Sequence, residues 1–123
     1  VAFGAFGDRF DHELASINAL YKRRHDFGRL ILMGERMTAC LLQPGRHRIV
    51  PNPLLEGPTC GLLPIGGPVG SITTSGLRWN LRADRLGFGG LVSSSNEIVA
   101  EPGRPMEVTV ETSDDVIWTT VLR

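Results

Sequence analysis

Three stretches of this sequence bring together side chains that can do chemistry. Gly7-Asp8-Arg9-Phe10-Asp11-His12 sets a guanidinium among carboxylates. An arginine grips phosphate oxygens through paired N–H donors, and a carboxylate such as Asp11 can orient a hydroxyl or join a metal site. Ser93-Ser94-Ser95-Asn96 lines up four small polar side chains that present donors and acceptors in a confined space. Trp79 and Trp118 offer flat aromatic faces suited to a heterocycle or an organic cation. Plainer readings stay open for each: helix-dipole complementarity for Asp11, a polar turn for the serines, and core packing for the tryptophans. Cys40 and Cys60, with His12, His25 and His47, show no metal-ligand spacing, so no metal site is assigned to this chain. The two cysteines are expected to be buried, reduced thiols.

The elements that must position these residues change character near residue 30. Phe10, Leu14, Ile17 and Leu20 or Tyr21 recur every three or four residues, which predicts one helix from about Arg9 to about Arg24. Asp8 is its expected N-cap, with Asp11 and Glu13 in the first turn and Lys22, Arg23 and Arg24 at the other end. Before it, Val1 to Phe6 reads as a buried strand, and a strand feeding straight into a helix is how an α/β layer ends. An α/β segment upstream is therefore expected.

Beyond residue 30 come short apolar runs separated by Gly, Pro, Asn and Asp. Strands are predicted over Leu30–Met33, Thr38–Leu42, His47–Val50, Gly61–Ile65 and Ser71–Thr74. They continue over Leu77–Leu81, Leu86–Val92, Glu97–Ala100, Met106–Thr112 and Val116–Leu122. About ten such strands indicate an antiparallel β-sandwich, jelly-roll-like, preceded by one strand-helix unit. Alternation in Glu107-Val108-Thr109-Val110-Glu111 puts both valines on one face. Gly34-Glu35 predicts a tight hairpin, Pro44-Gly45 a turn and Ser113-Asp114-Asp115 another hairpin loop. The domain boundary falls after residue 28, leaving 29–123 as the sandwich.

Composition narrows the partners. With 123 residues, 41% hydrophobic and 21% charged, this is one ordinary globule, and 13 Lys+Arg balance 13 Asp+Glu. No strong field recruits nucleic acid or an anionic membrane, so a ligand must be read by local chemistry. No apolar run approaches the roughly 20 residues that span a bilayer, and a cytoplasmic protein is expected.

Three segments together resemble the thiamine pyrophosphokinases. Gly7-Asp8-Arg9-Phe10-Asp11-His12 is similar to that family's Gly-x-Arg-x-Asp-His/Gln stretch, and Thr74-Ser75-Gly76-Leu77-Arg78-Trp79-Asn80-Leu81 to its Thr-x-Gly-Leu-Lys-Trp-Asn-Leu. Phe88-Gly89-Gly90-Leu91-Val92-Ser93-Ser94-Ser95-Asn96 is similar to Phe-Gly-x-Leu-(Ile/Val)-Ser-x-Ser-Asn, and all three occur in the family's order. Leu41-Leu42-Gln43-Pro44-Gly45, Cys60-Gly61-Leu62-Leu63-Pro64-Ile65-Gly66 and Val108-Thr109-Val110-Glu111-Thr112 extend the resemblance over nearly the whole chain.

The resemblance implies transfer of a pyrophosphoryl group from ATP to the hydroxyethyl oxygen of thiamine, giving thiamine diphosphate and AMP, with Mg²⁺. It implies catalytic roles for Arg9 and Asp11 and substrate contacts from His12, Ser93, Ser95, Asn96, Trp79 and Trp118, Ser93 and Asn96 meeting the pyrimidine. It also implies a two-fold homodimer with active sites shared between chains. The family's Asp-x-Asp and further metal-binding aspartates have no counterpart here, so the 123 residues alone are expected to be inactive. The competing expectation is a non-catalytic β-sandwich that binds a small ligand or serves in dimerisation.

Overall fold

The computed structural model describes every residue but 8 and 27, and among the described residues it forms ten strands and one helix. In chain order these are β1 (Ala2–Phe3), α1 (Phe10–Lys22), β2 (Ile31–Met33), β3 (Met37–Leu42), β4 (Gly45–Ile49) and β5 (Glu56–Leu63). There follow β6 (Val69–Ser75), β7 (Asp84–Leu86), β8 (Ser93–Glu97), β9 (Val108–Thr112) and β10 (Val116–Leu122). One sheet runs β1-β2-β3-β10-β5-β8 and the other β4-β9-β6-β7, so the mainly antiparallel sandwich read from the sequence is what forms. The exception is β1, which pairs parallel with β2, Ala2 opposite Leu32.

The central strand of the larger sheet explains why its sequence does not alternate. Val116 and Trp118 face the core between the sheets with Leu42, Leu62, Ile72, Val108 and Val110. Ile117 faces the other way, under α1, with Leu20, Leu32 and Ala39. Both faces of β10 are covered, so consecutive positions are apolar, as in any strand buried on two sides. On β9, with one face wet, Val108 and Val110 are fully buried and Glu111 is exposed, which matches the alternation.

The helical stripe is only half used. Leu20 is buried and Ile17 and Tyr21 pack beside it, whereas Phe10 is 74% and Leu14 40% exposed. The N-cap is Arg9, whose side chain makes no capping bond; the Asp8 expectation lies outside the described residues.

Several expected boundaries differ. Leu77–Leu81 is a loop rather than a strand, with an isolated bridge from Leu77 to Ile98 and a bond from Arg78 N to the Glu97 carbonyl, because Gly76 at φ 83° turns the chain out of β6. The run after Leu86 stops in a Gly87–Gly90 turn, and Ser93–Asn96, expected to end a strand, builds β8 itself. Gly34 donates to Met37 in the expected hairpin, at 2.9 Å. Ser113–Asp115 is no hairpin, since it carries the chain from β9 in one sheet to β10 in the other. Asp114 anchors that corner by accepting from Gly70 N and Ser113 Oγ, which hold its carboxyl below the usual range.

Cys40 and Cys60 are buried and unbridged on the two strands flanking β10. Burial pushes their thiols up to about 11 and about 12. Near neutral pH both thiols stay protonated, and the thiolate is the reactive form. Ellman titration should therefore find no fast-reacting thiol in the native protein and two after denaturation; rapid native labelling would contradict this burial.

Candidate functional site

The chain presents its candidate side chains at two separate places. At the first, Arg9 enters α1 and its guanidinium forks onto Asp11, Nε to Oδ1 at 3.1 Å and Nη2 to Oδ2 at 2.5 Å. Both side chains are mostly exposed, so the pair contributes at most about 1 kcal/mol and exchanges readily for another anion on the arginine. Beside it the turn after β1, with Arg9, His12 and Glu13, forms an open cleft of about 270 Å³. Arginine and imidazole at the mouth, next to a helix start, suit an anionic group.

The second place is the β8 edge of the larger sheet. Leu62 pairs with Ser93 and Cys60 with Asn96, so β8 carries one residue more than its partner strand, and Ser95 takes φ 56° in this bulge. A positive φ is uncommon outside glycine and marks a locally constrained backbone. Ser94 and Ser95 consequently face solvent, while Ser93 and Asn96 turn inward.

Asn96, 3% exposed, reaches across to the β6–β7 loop. Its Nδ2 donates to the carbonyl of Trp79 at 2.8 Å and to Ser93 Oγ at 3.3 Å. Its Oδ1 accepts from Trp79 N at 3.1 Å and Glu97 N at 2.9 Å. Every donor of the amide is committed, so Asn96 fixes Trp79 in place as a strut between strand and loop. Asn80, expected to be a buried amide holding a loop, is exposed; its Oδ1 nevertheless accepts from Leu77 N and Thr74 Oγ1.

The strut displays an aromatic platform. Trp79 is 54% exposed, and the Arg78 guanidinium lies 4.7 Å from the centre of its ring while pairing with Glu97 at 3.2 Å. Trp118 is 4% exposed within the core between the sheets, so of the two tryptophans Trp79 has the open face. Arg78 and Glu97 were not singled out from the sequence. The available signal was an arginine adjacent to a tryptophan.

The Arg9, Asp11 and His12 group follows β1 at one edge of the larger sheet, and Ser93, Ser95, Asn96 and Trp79 cluster at β8 on the opposite edge. Five strand-to-strand steps separate the two edges, roughly 24 Å along the sheet at about 4.8 Å per step. Among the described residues no three His, Cys, Asp or Glu side chains converge as a metal site would require.

The β8 edge thus combines a bulged strand with a pinned, exposed aromatic. Residues 46–117, which include that edge, match the family model described as thiamin pyrophosphokinase, vitamin B1 binding domain, and the chain belongs to this family. It is 42% identical over 120 residues to thiamine pyrophosphokinase 2 of Oryza sativa subsp. japonica, covering 98% of this chain and 43% of that protein. It is 43% identical over 123 residues to thiamine pyrophosphokinase 1 of Arabidopsis thaliana, covering 97% and 42%. The crystal structure of yeast thiamin pyrophosphokinase superposes with a TM-score of 0.85 at 29% identity, over 99% of this chain and 39% of that one. The chain thus spans less than half the length of these relatives.

Proposed function

We propose that this chain is the thiamine-binding part of a thiamine pyrophosphokinase, which passes a pyrophosphoryl group from ATP to the thiamine hydroxyl and releases AMP. The observation that carries this is the vitamin B1-binding family match over the segment that builds the β8 edge. Thiamine there would use the chemistry on display: a flat ring for Trp79 to face, and Ser93 and Ser95 hydroxyls for an aminopyrimidine that both donates and accepts. Arg9, Asp11 and His12 serve the other substrate group, Arg9 gripping phosphate once Asp11 releases it to orient the attacking hydroxyl.

These two groups lie too far apart to meet on one thiamine within a single chain, which supports a two-fold homodimer whose sites combine the α1 end of one copy with the β8 edge of the other. The exposed Phe3 and Phe10 beside the free edge of β1 are apolar surface that such an assembly, or further chain, would cover. The described residues do not fit Mg²⁺ by themselves: among them Asp11 offers one carboxylate, already forked on Arg9. The remaining ligands would come from outside these 123 residues, with residues 1–28 closing the nucleotide-binding domain. No described helix is long and apolar enough to cross a membrane; a cytoplasmic location is part of this proposal.

AMP formation tests the reading. This chain alone should form none at saturating magnesium, a longer protein containing it should turn over, and Asp11→Asn in that protein should lower the rate severalfold without moving the melting curve. Mixing the impaired Asp11→Asn homodimer with a Ser93→Ala homodimer, after exchange of subunits, should raise the rate above that of either variant by roughly a quarter of wild type, since half the dimers are mixed and each holds one intact site. Turnover by the isolated chain, or no recovery on mixing, would overturn the division of labour proposed here.

A further inference from the structure

We propose that the open end of the sandwich between β3, β4 and β10 is a second small-ligand site, taking a compact one- or two-ring apolar molecule that presents a single N–H or O–H donor. A cavity of about 270 Å³ lies there, its β10 wall two strands from β8. Its walls come from both sheets: Ile31, Met33, Cys40 and Trp118 on one side and Ile49 on the other. Val50 and Leu55, both more than half exposed, stand at its mouth. An apolar cavity of about 150 Å³ suffices to bind benzene, so this one has room for a substituted or fused ring.

The polarity of the ligand follows from the order of hydroxyl protons. Thr120 Oγ1, 1% exposed, donates to Glu56 Oε1 at 2.9 Å, and Glu56 Oε2 accepts from Asn52 N at 2.6 Å. A hydroxyl has one proton, so in the 2.6 Å contact between Thr38 and Thr120 it is Thr38 that donates. Thr38, 8% exposed, lines the cavity with its proton already committed and its oxygen able only to accept. A ligand that donates there gains a hydrogen bond; one that only accepts meets a lone pair.

Indole and indene differ in that N–H and little else. Titrated onto the protein and followed through the backbone amide shifts of Thr38, Cys40, Ile49 and Val50, both should bind. Indole should bind roughly 3- to 10-fold more tightly, the discrimination of one neutral hydrogen bond. Thr38→Val should bring the ratio to about 1 by weakening indole alone; should that variant fail to fold, indole against 1-methylindole gives the comparison in the wild type. No shift at these amides, or equal affinities in the wild type, overturns the proposal. So does displacement of indole by thiamine, which would merge the cavity with the thiamine site.

Discussion

Asn96→Ala is expected to destabilise the protein by about 2–4 kcal/mol and to weaken thiamine binding more than ATP binding. The amide makes four hydrogen bonds from a nearly closed position, two of them to the backbone of Trp79 seventeen residues earlier in the chain. Truncation leaves the Trp79 N–H and carbonyl to find water, and it opens a hole beneath β8. The loop that displays the aromatic platform then loses its side-chain tie to β8, so a ligand resting on Trp79 would pay to reorder it. Ser93→Ala removes only the long 3.3 Å contact and should cost well under half as much in stability. Asn96→Asp keeps the acceptor for both N–H groups but points a carboxylate at the Trp79 carbonyl, so it should not rescue. Urea unfolding and calorimetric titration with each substrate give the readouts. A wild-type midpoint for Asn96→Ala removes the strut, and equal loss of both substrates takes the β8 edge out of the thiamine site.

That strut also marks how far the sequence could be read. The change of period near residue 30 separated helix from sandwich correctly, because amphipathic spacing is local and α1 and β9 each keep one wet face. Ser93-Ser94-Ser95-Asn96 looks like a turn because strand propensity is low there. It is a strand because β5 supplies the pairing, with a bulge absorbing the extra residue. Leu77–Leu81 looks like a strand because Leu77, Trp79 and Leu81 alternate, yet Gly76 and the Asn80 and Asn96 amides curl it into a loop. The corner at Ser113–Asp115 has hairpin residues but joins different sheets, a matter of long-range topology that turn chemistry does not encode. The residue types of the candidate site were legible; that Arg9 and Asn96 stand at opposite edges of one sheet was not, since only the strand order reveals it.

Gly76→Ala is expected to be the most damaging single methyl in the chain, costing about 3–5 kcal/mol, a large fraction of the stability of an ordinary domain. Two costs add. Gly76 sits at φ 83°, where a Cβ is disfavoured by roughly 1–2 kcal/mol. The added carbon would also lie 2.1 Å from the Glu107 carbonyl oxygen and 3.2 Å from Val108 Cα. Neither neighbour is a side-chain tip that can swing aside. Both belong to the backbone entering β9, whose Val108 and Val110 are wholly buried, so relief means shifting a core strand. Gly89→Ala supplies the control: φ is 89°, but nothing lies within 4 Å of its added carbon, so only the conformational cost applies. Chemical unfolding of the two variants should therefore differ by about 2 kcal/mol or more, with Gly89→Ala losing roughly 1–2. Equal losses would mean that β9 yields to the intruding methyl. The Trp79 loop leaves the sheet at Gly76, so a folded Gly76→Ala protein should also bind thiamine less tightly. Unchanged affinity in such a protein would show that the loop takes its position from Asn96 alone.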